Sequence, residues 1–165
     1  MYMTKYESPV GNLTLVSNGC QLTGLFVDGQ RYFPDVSKME TKKDLAVFDA
    51  TIHWLDAYFE GKVPCRDMIP LKPEGTAFRM AVWKLLKAIP YGETTTYGEL
   101  ARKLNETAGM KTCARAVGNA VGHNPISIII PCHRVIGVDG GLTGYAGGLD
   151  VKQKLLKLEQ KRNWL

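Results

Sequence analysis

The sequence predicts an α+β protein, with a small N-terminal antiparallel sheet and a helix followed by a mainly helical second half. Three observations predict it. Asn18-Gly19 and Asp28-Gly29 punctuate short apolar segments near the N-terminus, and such dipeptides favour turns between strands. Leu45, Phe48, Ile52, Leu55 and Phe59 then recur at helical spacing. Beyond residue 75 that helical period dominates, interrupted by short loops.

The elements follow in order. "NLTLVS" alternates, with Leu13 and Leu15 on one face, and "QLTGLFV" is its return strand across a two-residue Asn-Gly turn. The helix that follows ends at Gly61, a residue suited to a left-handed cap. "GKVPCRDMIPLKPEG" holds three prolines and two glycines, and reads as an extended linker. It separates a structural unit over 1–75 from a second unit over 76–165. Thr76 caps a helix whose apolar face is Phe78, Val82, Leu85, Leu86 and Ile89, closed by Pro90. Thr95 or Thr96 caps a short helix bearing Leu100 and Leu104, and a turn at Gly109 leads to a second short helix in "CARAVGNAVGHNP". Two short helices joined by a turn suggest a helix-turn-helix. "ISIII" over 126–130 reads as a buried strand, residues 137–148 as a glycine-rich loop, and a last helix begins near Asp150 and packs through Val151, Leu155 and Leu158.

Composition bounds the function. The chain has 165 residues, 45% of them hydrophobic, which supports a packed core and excludes a disordered chain. No apolar run approaches the ~20 residues that span a bilayer, and the N-terminus lacks a signal-peptide core. The four cysteines (Cys20, Cys65, Cys113, Cys132) have no regular spacing and read as reduced thiols of a cytoplasmic protein. Residues 1–75 carry 8 Lys+Arg against 10 Asp+Glu, and residues 76–165 carry 13 against 6. The second half, at net +7, therefore suits a polyanionic partner or a solvated basic surface.

"IIIPCHRVIG" carries the chemistry. Cys132 follows Pro131 at the end of an apolar run, with His133 and Arg134 adjacent. A buried cysteine is often a core thiol, but basic and cationic neighbours favour the nucleophilic thiolate. Adjacent strand residues point to opposite faces, so Cys132 and His133 act together only at a turn or through a bridging water.

With "PCHRV" stand "FRMAVWKLL", "YGETTTYGELA", "ARAVGNAVGHNP" and "GYAGGL", in order. This ordered set resembles the O6-alkylguanine-DNA alkyltransferases, densely from Thr76 to Glu159 and loosely before. The resemblance implies a ribonuclease H-like N-terminal unit and a winged-helix-like helix-turn-helix. It implies DNA repair by direct reversal: the alkyl group on guanine O6 (O4-alkylthymine being a further substrate) moves irreversibly to Cys132, once per molecule. His133 is then the base, acting through water, and Glu159 orients it. Asn124 braces the turn before the cysteine, and Tyr97 contacts the flipped nucleotide. Arg115 fills the vacated stack. Ala114, Gly118 and Asn119 lie on the DNA-facing helix, set in the minor groove with little sequence preference. Val135 and the Tyr145, Ala146 and Gly147 loop wall the base pocket. The partner is double-stranded DNA, the protein a monomer, and no cofactor is implied. Ser127 and Ala146 depart from residues some relatives carry, which bears on bulky alkyl groups. Cys20 and His53 are too few ligands for a metal. Two other readings stay open on the residues alone: a thiol hydrolase or amidotransferase using Cys132 and His133, and a binder of alkylated DNA that does not repair it.

Overall fold

The computed structural model describes residues 1–142 and 144–163, with side chains through residue 160. Thr143, inside the predicted glycine-rich loop, lies outside the described residues. The architecture is α+β. Strands β1 (Tyr2–Ser8), β2 (Gly11–Ser17), β3 (Leu22–Val27) and β4 (Glu40–Thr41) form one sheet in the order β3-β2-β1-β4. β1 and β2 pair antiparallel, as do β2 and β3, while β4 pairs parallel to β1. The sequence reading missed β1 and β4; β1 alternates only loosely and β4 is two residues long.

The hairpin after β2 also differs from expectation. Ser17 pairs with Leu22, so its loop is the four residues 18–21. The Asn18 side chain accepts from the backbone N–H groups of Cys20 and Gln21 and organises the loop as an Asx turn. A side chain bonding its own backbone thus outcompeted the tighter turn.

Helix α1 (Ala46–Phe59) buries Val47, Phe48, Thr51, Trp54, Leu55 and Tyr58. Ile52 and Phe59, expected at the centre of its face, are only half-buried. The predicted linker is ordered: it contains a 3-10 turn at Arg66–Met68, and Leu71 bridges to Leu22 on β3. Helix α2 (Ala77–Lys87) starts at Thr76, whose hydroxyl accepts from the Arg79 N–H as predicted. Helix α3 (Tyr97–Ala108) starts at Thr96 in the same way and ends at Gly109, at φ +62°. A residue without Cβ adopts that left-handed cap at no steric cost. Helix α4 (Ala114–Gly122) packs against α2 and α3, and the buried Trp83 indole donates to the Ala120 carbonyl at 2.8 Å. β5 (Thr95–Thr96) pairs parallel with β6 (Val135–Ile136), and α5 (Leu149–Asn163) packs against the turn that carries Cys132.

One cluster of buried apolar side chains runs through both halves, from Leu13 and Leu15 on β2 to Leu155 on α5. β3 is the hinge of this arrangement. Its outer edge accepts Leu71 at one end and Ile126 at the other, so no run of unpaired backbone groups is left there.

Candidate active site

The segment "ISIII" is not a strand. Only Ile126 bridges to β3: Leu25 N–H donates to the Pro125 carbonyl and Ser127 N–H to the Leu25 carbonyl. The chain then coils into a buried turn, with Ile129 N–H donating to Ser127 O, Ile130 N–H to Ile126 O and Cys132 N–H to Ile130 O. Ile128 sits at φ +70°, which a β-branched residue tolerates only under constraint, at a cost of about 1–2 kcal/mol. Full burial of Ile126, Ile128, Ile129 and Ile130 offsets that cost. Apolar periodicity cannot separate a buried strand from such a turn, because both bury every residue.

Asn124 is hydrogen-bonded across this turn. Its amide donates to the carbonyls of Ile130 (2.8 Å) and Ile126, and its oxygen accepts from Ile126 N–H at 3.1 Å. Cys132 opens a 3-10 turn, Cys132–Arg134, rather than ending a strand. All three residues are buried.

Glu159 on α5 is buried and accepts from three residues. His133 Nε2 lies 2.8 Å from its Oε1, Arg134 approaches with Nε at 3.0 Å and Nη2 at 2.7 Å, and the Tyr58 hydroxyl reaches it at 3.0 Å from α1. Burial alone would raise the Glu159 carboxyl, but the hydrogen bonds from His133 and Arg134 and the Arg134 charge hold it at a pKa of about 2. An ionised carboxylate only accepts, so His133 Nε2 carries the hydrogen. Nδ1 is then the lone-pair nitrogen. It is buried and makes no hydrogen bond among the described residues. Burial lowers the His133 pKa, against the pull of Glu159, and keeps the ring neutral at rest.

Arg134 corrects an expectation. It does not charge the thiol; its guanidinium is spent on Glu159 and the Ile89 carbonyl. Burial raises the Cys132 pKa, with Asn124, Lys152 and Tyr145 acting the other way, so the resting thiol is protonated and a base is required. Lys152, unforeseen in the sequence reading, is a buried cation whose own pKa burial lowers. Its ammonium lies 5.9 Å from the centre of the Tyr97 ring.

The remaining expected site residues divide. Tyr97 opens α3 and lies half-buried between Gly118, Gly144 and Lys152. Ala114, Arg115 and Asn119 are exposed on α4, and Gly118 is half-buried against Tyr97. Val117 and Ala120 of the same helix lie in the core, where its inner face covers α2 and α3. Val135 is fully buried in β6, and its N–H already donates to the Cys132 carbonyl. Tyr145 turns its hydroxyl inward toward Cys132 and Ser127, Ala146 accepts from the Arg31 N–H at 3.0 Å, and Gly147 sits so close to Val27 that a Cβ would meet its methyl at 3.1 Å. Among the described residues no three His, Cys, Asp or Glu side chains gather as metal ligands.

Comparison with known proteins decides the family. Residues 1–73 match the model of the 6-O-methylguanine DNA methyltransferase ribonuclease-like domain, and residues 77–161 that of the DNA binding domain of the same family. The chain belongs to the 6-O-methylguanine DNA methyltransferase family. A methylated-DNA–protein-cysteine methyltransferase of Haemophilus influenzae is 48% identical over 160 residues, covering 97% of this chain and 87% of that protein. One from Methanosarcina acetivorans is 44% identical, covering 96% and 98%. The crystal structure of Mycobacterium tuberculosis OGT in complex with DNA superposes with a TM-score of 0.86 at 44% identity, covering 98% of this chain and 94% of that one. This family's fold is thus the scaffold on which the buried His133 and Glu159 meet, next in sequence to Cys132.

Proposed function

We propose that the protein repairs DNA by moving an alkyl group from guanine O6 to Cys132, one turnover per molecule. The observation that carries this reading is the buried His133, with one nitrogen donating to Glu159 and the other an unpartnered acceptor, on the residue next in sequence to a buried thiol that needs a base. A buried polar atom of this kind calls for a partner, and a water joining Nδ1 to the thiol supplies one. The thiol proton passes through that water to Nδ1, while Glu159 stabilises the imidazolium. Lys152 favours the emerging thiolate. Sulfur then attacks the alkyl carbon as the carbon–O6 bond breaks; the electron pair remains on the base, which takes up a proton. The thioether has no facile leaving group, so the reaction stops there and needs no cofactor.

The target base lies inside a duplex and must be extruded. Tyr97 contacts the extruded nucleotide, Arg115 fills the gap, and Ala114, Gly118 and Asn119 of α4 face the minor groove, where base readout is degenerate. Val135, Tyr145, Ala146 and Gly147 enclose the base. The unit over 76–165 carries these groups and the unit over 1–75 supports them. The protein acts as a monomer in the cytoplasm.

Intact mass after incubation with O6-methylguanine duplex tests the reading. Permanent gain of one methyl, mapped to Cys132 and lost in Cys132→Ala, is expected. A transient adduct would point to acyl chemistry, and no adduct to a binder alone.

A further inference from the structure

The N-terminal half comes against the end of α4 and the loop over 144–147 through residues 31 and 32. After β3 the chain turns at residues 28–30 and presents Arg31 and Tyr32, both exposed. The Gln30 side-chain amide donates to the Arg31 carbonyl at 3.3 Å, and further contacts hold the pair. Arg31 N–H donates to the Ala146 carbonyl of the pocket loop. The Tyr32 ring stacks on His123, just past the end of α4, with centroids 3.9 Å apart and planes within 25°. The Arg31 guanidinium lies over the Tyr32 ring, 5.0 Å from its centre. His123 is itself tied to α4 through Nδ1 and the Asn119 carbonyl at 2.8 Å.

Tyr32 adopts φ +61°, uncommon for a bulky residue without a role for it. The ring stays 46% exposed, so burial does not explain the conformation. Arg115, Gly118, Asn119 and Gly122 fall on one stripe of α4 at helical spacing. Gly118, Asn119 and Gly122 line a cleft of about 190 Å³ together with Arg31, Tyr32 and the loop residues 144–146. A guanidinium held on an aromatic plane keeps its N–H edge free to donate to the oxygens of a phosphate.

We infer that Arg31, held on the Tyr32–His123 stack, is a phosphate contact that the N-terminal half contributes to the DNA interface. This rests on the proposed binding of duplex DNA along α4. The half that carries it has a net charge of −2, so the contact comes from one oriented cation and not from a diffuse basic field.

The test measures affinity for an unmodified duplex against salt for the parent, Arg31→Ala, Arg31→Lys and Tyr32→Asn. Asparagine tolerates the left-handed backbone and removes the ring. Transfer from free O6-benzylguanine, or mass gain from the methylated duplex, is followed alongside. One lost phosphate contact should flatten the slope of log affinity against log salt by about 0.9 in Arg31→Ala. Arg31→Lys should keep the slope, Tyr32→Asn should weaken binding toward the alanine variant, and free-base transfer should match the parent in all. An unchanged slope in Arg31→Ala, with the parent binding and repairing DNA, overturns this inference and leaves the proposed function standing. Equal slowing on the free base also overturns it, since the side chain would then act on the pocket. A parent that neither binds nor repairs DNA removes the proposed function, and the inference with it.

Discussion

Glu159 is the residue on which the site's protonation turns. Its carboxyl is held at a pKa of about 2, so it is ionised throughout the working range and raises the proton affinity of His133. Removing the charge makes Nδ1 a weaker base, while the thiol, which burial pushes up, still needs one. Glu159→Gln should therefore slow transfer at neutral pH by about 10²-fold, the low end of what a positioned base supplies. The rising limb of the rate profile should move to higher pH, with part of the rate regained in alkaline buffer. Single-turnover rates against pH, with circular dichroism to verify the fold, decide this; an unchanged profile would break the network. Lys152 was missed as a single residue, yet it had a signal. Lys152, Leu155, Leu156 and Glu159 share one helical stripe, and two charges on a stripe of leucines point inward together. The role of Arg134 as the partner of Glu159 had none, because its adjacency to Cys132 in sequence suggested the wrong target.

At the scale of elements, the turn over 126–132 decides where the thiol stands. It is a chain of backbone hydrogen bonds around Ile128, closed by the Asn124 side chain. Asn124→Ala leaves the Ile126 N–H and the Ile130 carbonyl without that partner in a buried setting, at about 1–3 kcal/mol each. It should lower the urea midpoint and also slow transfer, since the amide favours the thiolate. Asn124→Asp, with two acceptors in place of a donor and an acceptor, should rescue neither. A variant that loses stability while its transfer rate holds would confine Asn124 to bracing. The capping threonines, Gly109 and the helix periods were legible because each rests on local chemistry. The turn was not, since a run of isoleucines reads as strand unless the tertiary partner is known.

Across the whole molecule, the N-terminal half does more than stand beside the site. Tyr58 of α1 donates to Glu159, β3 anchors Ile126, and Arg66 of the connecting segment donates to the carbonyls of Ile129 and Lys87. Arg66 lies half-buried in a cavity of about 390 Å³ between these parts, near the like-charged Arg134. Arg66→Ala should cost about 2 kcal/mol through two carbonyls left short of a donor. Because one apolar core spans both halves, unfolding should stay a single transition. Urea curves followed by tryptophan fluorescence and far-ultraviolet dichroism should remain superimposed; separation in the variant would mean that the halves unfold independently.

By itself the sequence determined the α+β class, the helices with their caps, the asymmetry of charge and a cysteine with a neighbouring imidazole. These depend on period, cap chemistry and composition, which are properties of short segments. Only the tertiary structure decided that Arg134 serves Glu159, that Lys152 and Tyr58 belong to the site, and that "ISIII" turns instead of extending. Those outcomes depend on which groups are buried together. Burial makes an unpaired charge or polar atom costly, so α5, α1 and the cysteine turn had to meet in the one arrangement that leaves the Glu159 carboxylate fully partnered.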